Sequence, residues 1–473
     1  MRIRLLGQSV PASIVVRAAV EIALLFLMMY GAALVRFHQS VAHIERSAGA
    51  LWPRALLFAA IMFACQLALG LHSARQRARS EGILVRIVAA VATGVAIAGA
   101  CFFLVPDLWL GRGVVALAGV GAGMVALLLH LGFGRLVDER VLKARVLVYG
   151  AGRGAETISG LRRRADRRGF TVVGYVRPPG ENSAVPAERT EFASEPIFSA
   201  NEGLREICER FEVDEIVVAI DDRRRAFPIR ELLECRLAGV DVTELLTFLE
   251  RESGRVRIDM LNPSWIIFGE GFRRGSLRQL TSRALDLVAG MLLVAVSLPA
   301  IIATAIAIKA EDGLGAPVLY RQERVGQGGR NFRLLKFRSM QVDAEAPGEA
   351  RWAERNDPRV TRVGAVIRKL RIDELPQLLN VLRGDMSLVG PRPERPEFVA
   401  SFAEKIPYYV ERHCLKPGIT GWAQLCYPYG SSEQDALEKL QYDLYYIKNN
   451  SLLLDLVILV QTAEVALFGK GAR

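Results

Sequence analysis

Four apolar stretches of membrane-spanning length dominate the first third of this 473-residue chain. A helix needs about 20 apolar residues to cross the roughly 30 Å hydrocarbon core of a bilayer, so each stretch predicts a transmembrane helix. The mean hydropathy of the whole chain is also positive, at +0.23, which excludes disorder as the main state because ample apolar surface is available for burial. The four stretches are Ile14–Leu34, Ala55–Leu71, Ile83–Val105 and Val114–Phe133, the second being the shortest.

Positive charge is concentrated around these stretches. The first 145 residues hold 15 lysines and arginines against six acidic residues, and therefore carry most of the net charge of +11. Basic residues precede the first stretch, follow the second and follow the fourth, so the positive-inside rule places the N-terminus and everything after residue 134 in the cytoplasm. No nucleic-acid partner is indicated, because the charge does not lie on a folded basic domain.

The segment after the membrane region predicts a Rossmann-like α/β domain over residues 141–250. It opens with a strand, a glycine turn and a helix start, in which Gly150, Gly152 and Ala155 fit the pattern G-x-G-x-x-A of phosphate-binding turns. Arg177 stands where a dinucleotide-binding domain has the acidic residue that holds a ribose, so a bound nucleotide and a structural or regulatory module are both open. Three further strands are predicted, at residues 171–176, 215–220 and 239–243.

A fifth apolar run lies between Leu285 and Ile308 and has basic residues on both sides. A complete crossing would carry the last third of the chain out of the cytoplasm, which these positive flanks disfavour. Pro299 removes a helical hydrogen bond and kinks the helix, and the Ser297 hydroxyl can satisfy a freed carbonyl. The run therefore predicts a re-entrant helix over residues 281–309 that breaks at Ser297 and Pro299; a fifth, kinked span is the alternative.

Two adjacent carboxylates, Asp373 and Glu374, are the first sign of chemistry in the last third of the chain. Pro376 is tolerated only in a first helical turn, which predicts that a helix begins at this pair and stabilises the two anions. Carboxylates repel phosphate unless a divalent cation bridges them, and Mg²⁺ is the natural choice.

Arginine and lysine side chains suited to hold phosphate accompany the pair. Arg392 lies between Pro391 and Pro393, which restrict its backbone and limit the entropy that binding would cost. Together these features predict phosphoryl chemistry on an anionic substrate at a membrane surface, although each one alone is equally typical of helix caps and surface charge. The basic candidates are Lys336, Arg338, Arg368, Arg371 and Arg392.

Residues from about 278 to 462 resemble the catalytic domain of bacterial polyprenyl-phosphate sugar-1-phosphate transferases, the monotopic phosphoglycosyl transferases. With four spans and a Rossmann-like domain in front, the chain resembles the long form of that family. The matching motifs are Lys336-Phe-Arg-Ser-Met340, Asp373-Glu-Leu-Pro-Gln377, Ser387-Leu-Val-Gly-Pro-Arg-Pro393 and Pro417-Gly-Ile-Thr-Gly-Trp422.

The resemblance implies a role for each matching residue. Asp373 looks like the nucleophile that attacks the β-phosphorus of a nucleoside-diphosphate sugar, and Glu374 looks like the magnesium ligand. Arg392 and its prolines look like part of a phosphate or nucleotide pocket, and Ser297 with Pro299 looks like the break in the family's re-entrant helix. Arg371 departs from the serine of many members.

The resulting expectation is a multi-pass protein of the bacterial inner membrane whose catalytic domain is cytoplasmic. We expect a transmembrane region over 1–140, the Rossmann-like domain over 141–250, a linker over 251–280 and an α-rich transferase domain over 281–473. The expected partners are undecaprenyl phosphate, a nucleotide sugar (UDP-glucose or UDP-galactose), membrane lipid and Mg²⁺, in the first step of exopolysaccharide or other surface glycan synthesis; a homodimer is an open option.

Two alternative functions have weaker support in the sequence. A membrane-bound nucleotide-sugar dehydratase would need an intact NAD site and a Tyr-x-x-x-Lys pair, and no such pair occurs between residues 150 and 275. A non-catalytic scaffold for polysaccharide assembly would not need the unbroken pair Asp373 and Glu374.

Overall fold

The computed structural model describes most of the chain, and the chain divides into two compact units, Met1–Ser253 and Gly254–Arg473. The described residues are 2–5, 8–38, 40–69, 71, 80–136, 143–162, 170–179, 196–199, 201–221, 227–261, 275–341, 357–427, 430 and 432–468.

Apolar helices form the first part of the first unit, after the antiparallel strands β1 (Arg2–Leu5) and β2 (Gln8–Pro11). Four of them correspond to the four predicted spans. By length and composition α1, α4 and α5 can cross a membrane, whereas α3 is shorter. The helices are α1 Ala12–Phe37, α2 Val41–Ala48, α3 Trp52–Ala68, α4 Ser80–Leu104 and α5 Arg112–Leu136, with a 3₁₀ turn at Pro106–Leu108.

These helices pack on one another through buried aromatic, aliphatic and methionine side chains. Leu25, Met29, Phe58 and Met62 are completely buried, while large apolar residues on the outer faces, such as Leu128, remain exposed. An apolar exterior around an apolar core is the arrangement that a lipid environment permits.

A five-stranded parallel sheet follows in the same unit, in the order β5-β4-β3-β6-β7. Its central strands are buried apolar runs, as expected where helices cover both faces. The predicted strands at 171–176, 215–220 and 239–243 are confirmed within two residues, whereas β5 is too short to give a sequence pattern. The elements are β3 Ala144–Tyr149, α6 Arg153–Arg162, β4 Phe170–Arg177, β5 Ile197–Ser199, α7 Leu204–Arg210, β6 Glu215–Val218, α8 Ile229–Leu237, β7 Asp241–Glu244 and α9 Leu245–Ser253.

The second unit mixes helices with two strand pairs, so the prediction of an α-rich domain omitted its strands. The antiparallel pair β8 (Leu319–Val325) and β9 (Asn331–Phe337) and the parallel pair β10 (Ser387–Val389) and β11 (Gly418–Thr420) lie among the helices. The helices are α10 Ser276–Asp312, α11 Arg362–Lys369, α12 Gln377–Arg383, α13 Pro396–Lys405, α14 Trp422–Cys426, α15 Glu433–Asn449 and α16 Leu452–Phe468, with 3₁₀ turns at Ile258–Met260, Gln327–Gly329, Ile372–Glu374 and Tyr409–Cys414.

The core of the second unit extends to its first residues. Val256 and Ile258, which the sequence placed in a linker, are buried with Leu388 and Leu440. The Trp422 indole donates to the Gly254 carbonyl over 2.8 Å, and the Val256 amide donates to the Gln441 carbonyl over 3.0 Å. Residues 254–258 therefore contribute to this unit.

Helix α10 runs without interruption through Pro299, so the predicted break at Ser297 and Pro299 does not end the helix. The proline lacks an N–H for the Ala295 carbonyl, four residues earlier. The Ser297 hydroxyl bonds instead to the Leu293 carbonyl over 2.6 Å, with Val294 at 3.4 Å, so it does not serve the carbonyl that the proline frees.

Charged side chains attach both flanks of α10 to the rest of the second unit. At the first flank, the Asp286 carboxylate accepts from the Ser387 hydroxyl and the Leu388 amide, each over 2.9 Å. At the other end, Asp312 pairs with Arg338 over 2.7 Å. Between these anchors most side chains are exposed and apolar: Val288, Met291, Leu292, Leu293, Val296, Leu298, Ile302 and Ile306.

Candidate active site

The two predicted carboxylates lie in the short 3₁₀ turn Ile372–Glu374, just before α12. The helix itself begins at Gln377, with Pro376 as its N-cap, so the expectation that it begins at the carboxylates is corrected by three to four residues. Helix α12 has only seven residues, and the helix dipole is therefore a minor influence on the two anions.

Basic side chains from distant segments converge on one oxygen of Glu374. Arg392 donates to Glu374 Oε1 over 3.1 Å and Lys336 over 3.4 Å, and the Arg371 guanidinium lies 4.0 Å from the same oxygen. The Glu374 side chain is only 14% exposed, so these cations act with little screening by water. Three of the five predicted basic residues thus meet at the predicted dyad.

The two carboxylates have pKa values that are pushed apart. Burial raises the pKa of the Asp373 carboxyl, and the adjacent charge of Glu374 raises it further, against the opposing effect of Lys336, Arg371 and Arg368. Burial acts in the same direction on Glu374, but the charges of Arg392, Lys336 and Arg371 outweigh it and hold the pKa of Glu374 at about 2. Glu374 is thus a permanent anion bound to cations. Among the described residues none donates a hydrogen bond to the Asp373 carboxylate, so it is available to react.

Asn380 brings the strand that carries Lys336 against the helix that follows the dyad. This side chain is completely buried on α12, where its oxygen accepts from the Leu335 amide over 3.0 Å and its nitrogen donates to the Arg333 carbonyl over 2.8 Å. Both groups belong to β9, the strand of Lys336. The side-chain amide of Asn380 therefore bonds to the edge of β9 as a neighbouring strand would, and it fixes the position of Lys336.

Glycines allow the two strands beside Arg392 to approach closely. A Cβ atom on Gly418 would lie 2.1 Å from the Gly390 nitrogen, nearer than any side chain tolerates. The segment leading into Pro391 therefore packs directly on β11. Pro391 and Pro393 are both buried, while Arg392 between them is 31% exposed and faces the dyad.

The remaining basic candidates differ in position. Arg338 is 6% exposed and pairs with Asp312 at the end of α10, so its contact is with the membrane helix rather than with the dyad. Arg368 is partly buried in the last turn of α11 and acts on Asp373 only through its charge. Gln424, which was not among the candidates predicted from the sequence, accepts from Arg392 over 3.3 Å. Its position at the end of the segment Gly421-Trp-Ala-Gln424 is the sequence feature that could have identified it.

The carboxylate oxygens of Asp373 and Glu374 fit a Mg²⁺ site only if a bound substrate supplies further ligands. Mg²⁺ in phosphate chemistry is held by one or two carboxylates, and substrate phosphates and water provide its other ligands. Asp373 and Glu374 supply such oxygens, and within the described residues Glu374 Oε2 is not engaged by the cations that hold Oε1. No group of three or more metal-ligating side chains occurs in the described parts of the chain.

The glycine turn of the parallel sheet is filled by the protein itself. The Asp221 carboxylate, three residues beyond β6, accepts from the Arg153 and Gly154 amides, each over 3.0 Å. These first amides of α6 are the groups that would bind a phosphate. Gly150 has φ +137°, and a Cβ atom there would lie 2.5 Å from the Ala219 carbonyl oxygen. The close packing of Gly150 on Ala219 and the capping of α6 by Asp221 therefore account for this glycine turn without a bound phosphate.

Gly152 and Ala155, the other members of that pattern, are both buried in the turn and the first turn of α6. Arg177, at the end of β4, is exposed. These positions agree with the structural alternative, and nucleotide binding at Gly150, Gly152 and Ala155 stays a prediction.

Comparison with known proteins identifies relatives of both the catalytic segment and the longer chain. Residues 277–469 match the family described as "Bacterial sugar transferase". Over 244 residues the chain is 45% identical to a UDP-N-acetylgalactosamine-undecaprenyl-phosphate N-acetylgalactosaminephosphotransferase from Aeromonas hydrophila, a match covering 52% of this chain and 56% of that protein. The chain therefore spans about half the length of this relative.

Two further relatives carry another sugar in their names. A UDP-glucose:undecaprenyl-phosphate glucose-1-phosphate transferase from Xanthomonas campestris pv. campestris is 32% identical over 376 residues, which is 77% of this chain and 74% of that protein. A protein of the same name from Caulobacter vibrioides is 45% identical over 185 residues, or 39% of this chain and 68% of that protein.

Proposed function

The chain belongs to the bacterial sugar transferase family, and from this premise we propose that it transfers a sugar 1-phosphate from a nucleoside-diphosphate sugar to undecaprenyl phosphate. The observation that carries the proposal is the convergence of Arg392 and Lys336 on Glu374, beside the Asp373 carboxylate, to which none of the described residues donates a hydrogen bond. Cations and a free carboxylate side by side can bind a diphosphate and attack it.

The proposed reaction has two displacements at the same phosphorus atom. An Asp373 carboxylate oxygen forms a bond to the β-phosphorus of the donor, while the bond from that phosphorus to the bridging oxygen breaks and the electron pair leaves with the nucleoside monophosphate. A phosphate oxygen of undecaprenyl phosphate then forms a bond to the same phosphorus, and the carboxylate of Asp373 leaves. Arg392 and Lys336 would balance the charge that develops on the phosphate oxygens.

Mg²⁺ is the proposed cofactor, held by Glu374 with Asp373 beside it. When bound, the ion would supply positive charge that neutralises the diphosphate and allows an anionic carboxylate to approach it. The chain's own residues keep Glu374 ionised, since Arg392, Lys336 and Arg371 hold its pKa at about 2.

We place the reaction at the cytoplasmic face of the inner membrane, with α10 as a re-entrant helix. The support is that Asp286 and Asp312, at opposite flanks of the apolar region, both contact this one unit. A complete crossing of roughly 30 Å would put those flanks on opposite sides of the bilayer. A helix that bends at Pro299 and does not cross completely would keep both flanks on the side where nucleotide sugars are made.

The parallel sheet of the first unit is proposed to be a Rossmann-like module with a structural or regulatory role, because Asp221 already occupies the amides of its glycine turn. We propose glucose or galactose as the sugar that the donor carries. The name of the Aeromonas relative adds N-acetylgalactosamine to the set that needs testing.

The test is nucleotide release by purified protein with undecaprenyl phosphate, Mg²⁺ and a panel of UDP-sugars. Asp373→Asn should abolish turnover, at least about 1,000-fold, and should trap no phosphosugar on the protein, because an amide oxygen carries no charge for the attack. Near-normal UMP release by folded Asp373→Asn protein would remove this residue as nucleophile. Glu374→Gln should lower the rate severely and change the magnesium dependence; an unchanged dependence would place the metal ligand elsewhere.

A further inference from the structure

The backbone that presents Arg392 is held at four consecutive carbonyls. The Pro391 carbonyl accepts from the Gly418 amide over 2.9 Å, and the Glu394 carbonyl accepts from the Val325 amide over 3.0 Å. The two carbonyls between them accept from arginine side chains: that of Arg392 from Arg412 over 3.1 Å, and that of Pro393 from Arg324 over 3.0 Å. Because the two prolines have no N–H, the segment depends more heavily on these carbonyl bonds to fix its backbone.

Arg412 is buried and reaches Arg392 from a different part of the chain. Its side chain is 6% exposed, and the Asp443 side chain that pairs with it over 2.8 Å is 2% exposed. Its other terminal nitrogen donates to the Tyr409 hydroxyl over 2.7 Å. Asp443 lies on α15, so the contact ties that helix, the turn Tyr409–Cys414 and the Arg392 backbone together.

This placement makes Arg412 unsuitable for direct contact with a substrate but well suited to orient Arg392. A charge buried in this way costs stability unless its partners are well arranged, and its guanidinium uses both terminal nitrogens on fixed acceptors. Besides Tyr409 and Asp443, Arg412 donates to the backbone carbonyl of Arg392, the residue whose guanidinium donates to Glu374.

We propose that Arg412, neutralised by Asp443, is a positioning residue for the transferase reaction: it fixes the backbone of Arg392 and so aims the Arg392 guanidinium at Glu374 and the donor phosphate. This inference rests on the proposed function. It goes beyond it by assigning a catalytic consequence to a buried ion pair that touches neither the dyad nor the substrate.

The experiment is a double-mutant cycle on UMP release by the full chain in detergent or nanodiscs. Arg412→Lys keeps the positive charge beside Asp443 but cannot reproduce the planar fork, so we expect kcat to fall roughly 100-fold, the loss typical of a misplaced catalytic group. In an Arg392→Lys background the same change should cost less than about threefold, because the group it positions has already been altered.

Arg255→Lys is the matched control. Arg255 pairs with Glu438, also on α15, over 2.6 Å, and its side chain is 17% exposed. It should change thermal stability without changing kcat. Tyr409→Phe, which removes only the hydroxyl that Arg412 bonds, is the second variant if Arg412→Lys does not fold, and it should show the same dependence on the Arg392 background.

Hydrogen exchange supplies a readout that does not depend on turnover. In Arg412→Lys the peptide that contains Arg392 should exchange its amides faster than in wild-type protein, and in Arg255→Lys it should not. Equal fold-losses of kcat in both Arg392 backgrounds, or unchanged exchange in that peptide, would overturn the positioning role. If wild-type protein released no nucleotide from any donor, the proposed function would fail, while the exchange comparison would still decide whether Arg412 holds this backbone.

Discussion

Arg371 is the residue whose backbone and side chain both bear on the dyad. Its φ of +59° lies in the left-handed region, which costs a non-glycine residue about 1 kcal/mol or more and turns the chain from α11 into the turn that carries Asp373 and Glu374. Its guanidinium, 42% exposed, lies 4.0 Å from Glu374. Arg371 therefore adds a cation to the site.

Arg371→Gln should move the acid limb of the kcat/KM–pH profile to higher pH. Asp373 must be ionised to attack, its pKa is raised above the ordinary value by burial and by Glu374, and Arg371 is one of the cations that lower it. Removing that cation raises the pKa of Asp373 further. On acidification the variant should therefore lose activity at a higher pH than the wild-type protein does. At neutral pH kcat/KM should fall less than about tenfold, because a half-exposed ion pair contributes about 1 kcal/mol or less.

Lys369→Gln is the control for this measurement. It removes an exposed charge from the end of α11 that is not among the main influences on the pKa of Asp373, so its profile should match that of the wild-type protein. Glu374 cannot account for the limb, since its pKa of about 2 lies below the pH range of the assay. A limb that moves to lower pH in Arg371→Gln would contradict the assignment of Asp373 as the titrating nucleophile.

Among the elements, α10 is the helix whose two ends both contact neighbouring helices of the second unit. Arg283 donates to the last carbonyls of α12, at Val381 and Leu382, each over 2.7 Å, and Glu311 accepts from the Arg362 and Val363 amides at the start of α11. The helix thus caps two neighbouring helices with its opposite ends. Contacts of both ends with neighbouring helices of one unit favour the proposed re-entrant topology over a complete crossing.

Single cysteines at the two flanks should report the same side of the membrane. In a chain whose six native cysteines are replaced, Ser276→Cys and Leu314→Cys should both react with an impermeant thiol reagent only after the inner membrane is breached. Arg112→Cys, in the loop predicted to lie outside, should react in intact cells and serves as the positive control. Reaction of Leu314→Cys alone in intact cells would mean that α10 spans the membrane and that the re-entrant helix must be abandoned.

At the scale of the whole molecule, every residue of the candidate site belongs to the second unit, Gly254–Arg473. A truncated protein that begins at Gly254 should keep transferase activity within about tenfold of the full chain, because the dyad, Lys336, Arg392 and α10 are all retained. The measurement is UMP release in nanodiscs. Complete loss of activity in a folded, membrane-bound truncation would show that the first unit takes part in the reaction.

The exact starting residue matters for stability in this experiment. A second truncation that begins at Ser276 lacks Val256 and Ile258, whose buried side chains each contribute about 1.5–3 kcal/mol, and also lacks the Gly254 carbonyl that accepts from Trp422. It should therefore unfold at a lower temperature than the truncation from Gly254. Equal melting temperatures would show that residues 254–258 are dispensable.

Features that depend on short stretches of chain could be predicted from the sequence. Apolar runs predicted the membrane helices, buried strand patterns predicted the parallel sheet, and four local motifs identified the family and the adjacent pair Asp373 and Glu374. These succeed because hydropathy, strand pattern and motif spacing are properties of neighbouring residues. The start of α12 was predicted at Asp373 and Glu374 but lies at Gln377. The prediction was wrong because a proline is accepted both as an N-cap, where Pro376 lies, and in the first turn.

The pairing of the charged residues, in contrast, depends on how the folded chain packs. Lys336 and Arg392 reach Glu374 across 38 and 18 residues of chain, whereas Arg338, two residues from Lys336, pairs with Asp312. Likewise, Asp221 fills a glycine turn that lies almost 70 residues earlier. No local pattern predicts these pairs, because a charged side chain carries no sign of its partner until packing brings the two together and removes the water between them.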